Sequence, residues 1–463
     1  MISAGRALAI VGGVGLVLLV AGLAPIAWAA PDETVATRDR DEDLRVERFL
    51  PLTAAGAGII GVVVAGRLRE PRLGQGIRLA APLLALALAL GPLAMIDPRP
   101  LNRQPSPDAQ EYADAARHLA AGEGYVVTIR RGETQPPRYP PGFSLALAPF
   151  ALVGSYPDNV QLGSKLYAML YLIVTLVAAW VVGGPLAAAV AVALVGSSPF
   201  AVRYASLVMS DAFAAVLSIA ALALVHRPTT ARLAGAGLLA GALILVRLSG
   251  VLTLAALLAA TLAGAGRRQG WRAPVVVLAG GLLGLALLAA QQWWTFGNPL
   301  MTGYQYWLPE IRTFGLDYPL DPATRRDGSG VVADSLDGLL LRWACPCPED
   351  DPLFAFRAVT FYPLVLLGLF WIFVPPLTTV PGLIEVWHRR DEPGPAYVLW
   401  LTVLTGLFHL FYFYLAARFV AGPVTLLAIY SGVCVARWAE RRAAGQFSEN
   451  TSPARRAAEP ART

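Results

Sequence analysis

Long apolar runs alternate with polar breaks along most of this chain. Runs cover residues 7–28, 50–65, 79–96, 161–182, 186–202, 212–226, 232–247, 250–266, 273–292, 358–386, 396–416 and 419–437. They approach or exceed the ~20 residues that a helix needs to cross hydrocarbon. Sustained period-2 alternation is missing from them, so the pattern predicts helices and not a barrel. A helix satisfies its own backbone N–H and C=O groups, which lipid cannot do. The expected fold is an all-α polytopic membrane protein of about 12 transmembrane helices.

The polar breaks divide by charge. Arg67, Arg69, Arg72 and Arg78 follow one run; His226, Arg227 and Arg232, then Arg267, Arg268 and Arg272, then His388, Arg389 and Arg390 fill others. Short basic loops beside apolar runs mark the cytoplasmic side. The alternation then puts residues 31–50 and two long stretches, 97–158 and 293–357, outside. Residues 31–50 carry seven acidic residues and four Arg, which suits a non-cytoplasmic loop. The apolar run after Arg6, ending Ala27-Trp28-Ala29, has the look of a secretory signal but is long for one. It is read as an uncleaved helix with both chain termini inside. The tail from Arg437 has six Arg against three Glu and reads as a disordered cytoplasmic segment. The domains expected are an N-terminal hairpin at 1–78, a main module at 79–437 and a tail at 438–463.

Composition supports this picture. Of 463 residues 56% are hydrophobic and 15% charged, against about 25% charged in a soluble domain. The net charge of +6 is topological, so nucleic acid is not an expected partner; membrane lipids are. Cys345, Cys347 and Cys434 form no metal-ligand pattern, and the Cys345-Pro-Cys347 pair is read as two thiols or as a small disulfide. The four His have no zinc-protease spacing, and no Walker or dinucleotide glycine motif occurs. No internal repeat of the transporter kind is evident.

The two long stretches are too patterned to be passive connections. The first reads Asp108-Ala109-Gln110-Glu111-Tyr112, then Gly122-Glu123-Gly124-Tyr125, and ends Arg138-Tyr139-Pro140-Pro141-Gly142. Tyr112, Ala115, Ala116 and Leu119 have helical spacing, which starts a short helix just after Asp108 and leaves that carboxylate near the N-terminus, where it can also cap. Three further segments stand out: Arg203-Tyr204 through Ser210-Asp211; Phe296-Gly297-Asn298-Pro299 through Tyr304; and Tyr414 through Arg418-Phe419, with Pro423 beyond.

In this order, each on the expected external face, the four segments resemble the GT-C glycosyltransferases. The branch resembled is that of the protein O-mannosyltransferases and the lipid A aminoarabinose transferases. The resemblance runs from about residue 79 to 437 across loops too long to be passive, and it departs from the family where Ala109 stands after Asp108 in place of an acid. It implies a GT-C-type helical bundle with two long external loops in a bacterial plasma membrane. It also implies a hexosyl or pentosyl transferase, inverting, with a polyprenyl phosphate sugar as donor. The acceptor would be a glycan, lipid or protein. No cofactor is required by it and no metal ligand set is present, although a divalent cation is compatible with the chemistry.

A polyprenyl phosphate leaves readily, whereas an acceptor hydroxyl is a poor nucleophile and needs a general base. Asp108 is the candidate base, and Asp211 the candidate partner that binds the acceptor or orients Asp108. Arg138 is the first candidate cation for the leaving phosphate, with Arg247 and Arg418 next. Glu111, Tyr112, Tyr139 and Tyr304 are candidates for substrate contact. Each has an alternative. Asp211 is also placed to cap a helix, Arg247 and Arg418 to snorkel to headgroups, and the aromatic residues, with Trp293, Trp294, Tyr306 and Trp307, to form an interfacial belt. A transporter or flippase of lipid-linked sugars is the alternative function, though it would place ionisable groups deep in its helices.

Overall fold

The computed structural model describes residues 71–95, 108–128, 132–196, 204–265, 270–307, 376–411 and 420–450, with 98, 100, 101, 104 and 309 between them. The expected runs at 7–28 and 50–65, the acidic loop 31–50, Cys345, Cys347, Arg203 and Arg418 lie outside the described residues.

The elements are α1 (Pro71–Met95), α2 (Asp108–Ala120), α3 (Gly142–Ala151), α4 (Asp158–Gly196), α5 (Asp211–Val225), α6 (Thr230–Val246), α7 (Gly250–Ala260), α8 (Arg272–Phe296), α9 (Gly303–Trp307), α10 (Pro376–His388), α11 (Pro393–Phe411) and α12 (Ala421–Asn450). An isolated antiparallel bridge between Val127 and Gln135 is the β pairing among the described residues. Among the described residues three helices are long and apolar enough to cross a membrane: Asp158–Gly196, Arg272–Phe296 and Ala421–Arg441 of α12.

The helix α4 is two helices joined at Gly184, whose φ of 79° and ψ of −174° are not helical. Gly184 adopts that backbone without a Cβ penalty, and Pro185 opens the next helix, where a missing N–H costs little. The second half runs back along the first. Gly196 packs on Ala89 of α1, and Ala94, further along α1, accepts a hydrogen bond from Lys165 near the start of α4. The two separate runs expected at 161–182 and 186–202 correspond to these halves.

Small residues let the helices approach. Gly237 and Gly241 of α6 face Gly280 and Gly284 of α8, and a Cβ on Gly280 would lie 2.6 Å from the Leu238 backbone nitrogen. Lipid gives no hydrophobic drive between helices, so such close contact of backbones is what holds them. Gly382 of α10 meets the Leu427 carbonyl of α12 in the same way.

Two boundaries differ from expectation. The helix α1 begins at Pro71, ahead of the apolar run at 79, so Arg72 and Arg78 belong to its first turns. The helix α12 continues past Arg437 to Asn450, through part of the stretch read as disordered. Ala, Arg, Glu and Gln fill that extension, and they are good helix formers that need no apolar face to propagate.

The chain direction of α4, α5, α6 and α12 puts Asp158, Asp211, Val246 and Ala421 at one end of the bundle. Arg227, Arg232, Arg272 and Arg389 sit at the other. At that opposite end Glu385 of α10 takes Arg437 of α12 at 2.6 Å and Arg389 at 3.5 Å. A cavity of about 540 Å³ there is lined by Trp180, Val181, Ala223, Leu224, Arg227 and Arg232.

Candidate active site

The first polar stretch folds against the end of the bundle where α5 begins. Ala109, Tyr112, Ala113 and Ala116, spaced i, i+3, i+4 and i+7, form the buried face of α2. They pack with Phe143 and Leu147 of α3, Val160 of α4, Leu217 of α5, and Leu243 and Val246 of α6. This face explains why a helix with so little hydrophobicity forms here: burial of one stripe, not propensity, stabilises a short helix.

Close approach fixes α3. A Cβ on Gly142 would lie 2.7 Å from the Leu245 carbonyl and 2.8 Å from the Val246 nitrogen. Glycine after Pro140-Pro141 therefore seats Arg138 and Tyr139 beside the C-terminus of α6, one residue from Arg247.

Asp108 opens α2, is half-buried, and its carboxylate accepts a hydrogen bond from the Tyr139 hydroxyl. The Tyr139 ring stacks on Tyr112 with centroids 4.7 Å apart and takes the edge of Tyr304 at 5.6 Å. The Tyr112 hydroxyl and Ser210 Oγ are 3.1 Å apart. Ser210 precedes Asp211, which is 4% exposed and paired with the Arg247 guanidinium. Burial pushes the Tyr112 phenol well above its ordinary value; Arg247 opposes that, and Asp108 and Asp211 reinforce it. All three charges thus act on one hydroxyl, and α2, α5 and α6 converge there. Burial also raises the Tyr139 phenol, helped by Tyr304 and Asp108, so both tyrosines stay protonated donors.

Glu111 is 1% exposed. It accepts the Arg138 backbone N–H at 3.0 Å, and the Arg138 guanidinium lies 3.9 Å from its other oxygen. Arg138 is 10% exposed in its side chain. Its Nε and the Asp211 Oδ2 are buried with no hydrogen-bond partner among the described residues. A buried donor and a buried acceptor left open each cost about 1–3 kcal/mol, which suits groups kept for a ligand.

The second polar stretch meets the first. A Cβ on Gly303 would lie 2.5 Å from the Arg138 carbonyl oxygen, and the Trp307 indole donates to the Pro136 carbonyl at 2.8 Å. Trp294 is 91% exposed and Trp293 is also exposed, as an interfacial belt requires.

The structure thus brings together Asp108, Glu111, Tyr112, Arg138, Tyr139, Asp211, Arg247 and Tyr304. Of the other residues that build the site, Tyr125 and Ser210 fall within segments quoted from the sequence, whereas Gln104 and Asp114 were not singled out. Gln104 accepts the Val208 N–H at 2.6 Å, Tyr125 donates to the Tyr139 carbonyl at 2.7 Å, and Ser210 joins Tyr112. Asp114 accepts Arg117 at 2.7 Å and the Thr128 N–H at 2.6 Å, tying the hairpin to α2. These partners are distant in sequence and polar residues of ordinary kinds, so spacing carries no signal for them. Among the described residues no group of three or more His, Cys, Asp or Glu is placed to hold a metal.

The helical architecture is similar to that of solved GT-C enzymes. The oligosaccharyltransferase of Archaeoglobus fulgidus superposes over 81% of this chain with a TM-score of 0.50 at 14% identity. ArnT of Cupriavidus metallidurans, solved bound to undecaprenyl phosphate, aligns over 79% with a TM-score of 0.48 at 16% identity. The chain spans 52% of the former and 60% of the latter. No protein-family model and no curated protein sequence matches the chain. The fold is therefore that of the GT-C glycosyltransferases.

Proposed function

We propose that this chain is a membrane glycosyltransferase, moving a sugar from a polyprenyl phosphate donor to an acceptor hydroxyl at the outer membrane surface. One observation carries the reading. On a GT-C fold, a half-buried carboxylate, a buried Asp211–Arg247 pair and a buried arginine with an open Nε meet at one end of the bundle.

In this reading Asp108 takes the proton of the acceptor hydroxyl as its oxygen attacks the anomeric carbon. The bond from that carbon to the phosphate oxygen breaks, and the electron pair leaves on the polyprenyl phosphate. In-line attack inverts the anomeric centre. Arg138 and Arg247 face the charge that gathers on the leaving phosphate; fixed cations aimed at developing charge are worth most where water is excluded. Asp211 holds Arg247 in place and offers Oδ2 to the acceptor. Arg418 is a third proposed cation. Binding needs no nucleotide in this scheme.

Orientation follows from charge. Arg227, Arg232, Arg272, Arg389 and Arg390 gather at the end opposite Asp108, and a surplus of arginine marks the cytoplasmic side. The site then faces outward.

The test is Asp108→Asn. Purified protein is incubated with a panel of synthetic undecaprenyl phosphate hexoses and pentoses and a cell-envelope extract, and release of undecaprenyl phosphate is followed. Asn is nearly isosteric and caps as well as Asp, but it cannot act as a base, and base assistance contributes about 10²–10⁴ in rate. Turnover should fall by that factor while undecaprenyl phosphate binding persists. Near-wild-type turnover would sink the assignment.

A further inference from the structure

We infer that Tyr139 is a positioning residue that aims the Asp108 carboxylate through a donated hydrogen bond, with α9 bracing its ring. The inference rests on the reading of Asp108 as the base.

Four contacts fix the phenol. Its hydroxyl donates to Asp108 Oδ1, one face stacks on Tyr112, Tyr304 meets it edge-on, and its carbonyl takes the Tyr125 hydroxyl. The ring is 9% exposed, so stacking on a sugar is not what it is placed for. Asp108 sits in the first turn of a helix, where several rotamers of a short side chain are open to it. The Tyr139 hydroxyl, a directional donor on one carboxylate oxygen, favours one of them and so sets the direction of the other oxygen. The donor stays protonated because burial holds the phenol above its ordinary value.

The bracing comes from far along the chain. Tyr304 belongs to α9, and Gly303 lies against the Arg138 carbonyl. The two long polar stretches therefore meet at the residue that aims the base. General base catalysis depends on that aim, and a misplacement of about 1 Å costs on the order of 100-fold.

The experiment is Tyr139→Phe, which removes one oxygen and keeps the ring stack. Turnover of the undecaprenyl phosphate sugar panel should drop in kcat by on the order of 10-fold to 100-fold, with donor KM within about twofold, since uniform binding is untouched. In an Asp108→Asn background the same change should cost nothing further. Installing 4-aminophenylalanine at 139, which restores a donor on the same ring, should recover most of kcat. A second readout needs no turnover: the carboxylate stretching bands that vanish in Asp108→Asn should shift in Tyr139→Phe, read by infrared difference spectroscopy.

Unchanged kcat and unmoved bands in Tyr139→Phe would overturn the proposal even if Asp108→Asn is inactive. Shifted bands in a protein whose Asp108→Asn variant turns over normally would support the hydrogen bond and sink the function assigned to Asp108. A Tyr139→Phe loss that persists undiminished in the Asp108→Asn background, or that 4-aminophenylalanine does not recover, would also overturn it.

Discussion

Removing Arg247 should destabilise the protein through the carboxylate it leaves behind. Asp211 is 2% exposed in its side chain and Arg247 20%. Breaking a buried ion pair by deleting one partner costs about 3–5 kcal/mol, because the remaining charge is uncompensated. Arg247 keeps some contact with solvent, so Arg247→Gln should sit near the lower bound, about 3 kcal/mol. Replacing both partners removes the stranded charge. The double variant Asp211→Asn/Arg247→Gln should regain most of that loss, giving a coupling energy of about 2 kcal/mol, within the range for residues in direct contact. The assay is reversible denaturation by SDS in mixed micelles, with four proteins in a double-mutant cycle. Activity supplies the other half. The double variant should remain as poor in sugar transfer as Arg247→Gln, since the cation proposed to face the leaving phosphate is absent in both. Additive losses in the cycle would show that the pair does not hold α5 to α6. Recovered transfer in the double variant would remove Arg247 from the site.

Arg138→Ala should raise donor KM more than Arg138→Lys does, because a guanidinium can grip phosphate with two parallel bonds and an ammonium offers one point charge; unchanged donor kinetics in the Ala variant would take Arg138 out of the site. A cysteine at Glu133, an exposed position in the first polar stretch, should label with a membrane-impermeant reagent in intact cells of a cysteine-free background; labelling only after permeabilisation would reverse the topology and move the site to the cytoplasmic face.

Several elements were legible because their physics is local. Apolar length and flanking arginine located α4, α5, α6, α7, α8 and α11, and the separate runs at 161–182 and 186–202 anticipated the break that the structure places at Gly184. A short helix after Asp108 followed from the spacing of Tyr112, Ala115, Ala116 and Leu119; the structure starts it at Asp108 and buries the stripe Ala109, Tyr112, Ala113 and Ala116, with Leu119 only partly buried. Asp108, Arg138 and Asp211 were singled out through motif order, and the structure gives the side chains they contact. What stayed hidden is long-range. Nothing near Glu111 in sequence says that it holds the Arg138 backbone 27 residues on. Nothing near Gly303 says that it lies against Arg138. Asp211 opens α5 with no side-chain cap hydrogen bond at Ser210; its partner is instead an arginine 36 residues away. Only the packing of α5 on α6 reveals that. Beyond Arg437, in a stretch whose polar composition reads as disorder, α12 continues to Asn450, carried by residues of good helix propensity.

The placement of buried ionisable groups bears on the two functional readings. Among the described residues the buried carboxylates are Glu111, Asp114, Asp211 and Glu385. The first three lie at one end of the bundle and Glu385 at the other. Several of the buried polar groups between the ends are hydroxyls that bond one another or a backbone carbonyl. Tyr171 meets Thr425, and Tyr397 donates to the Ser218 carbonyl at 3.2 Å. A carrier that moves a phosphate-linked sugar across the bilayer must offer charge or donors along the route. Among the described residues Gly241 of α6 lies against Gly280 of α8, so these two helices are packed at close spacing. An enzyme that works at the membrane surface needs its charges at one rim and an inert scaffold beneath them. The Asp211–Arg247 pair fits the second demand as well as the first: it ties the rim of α5 to α6 while keeping a cation where a leaving phosphate would arrive.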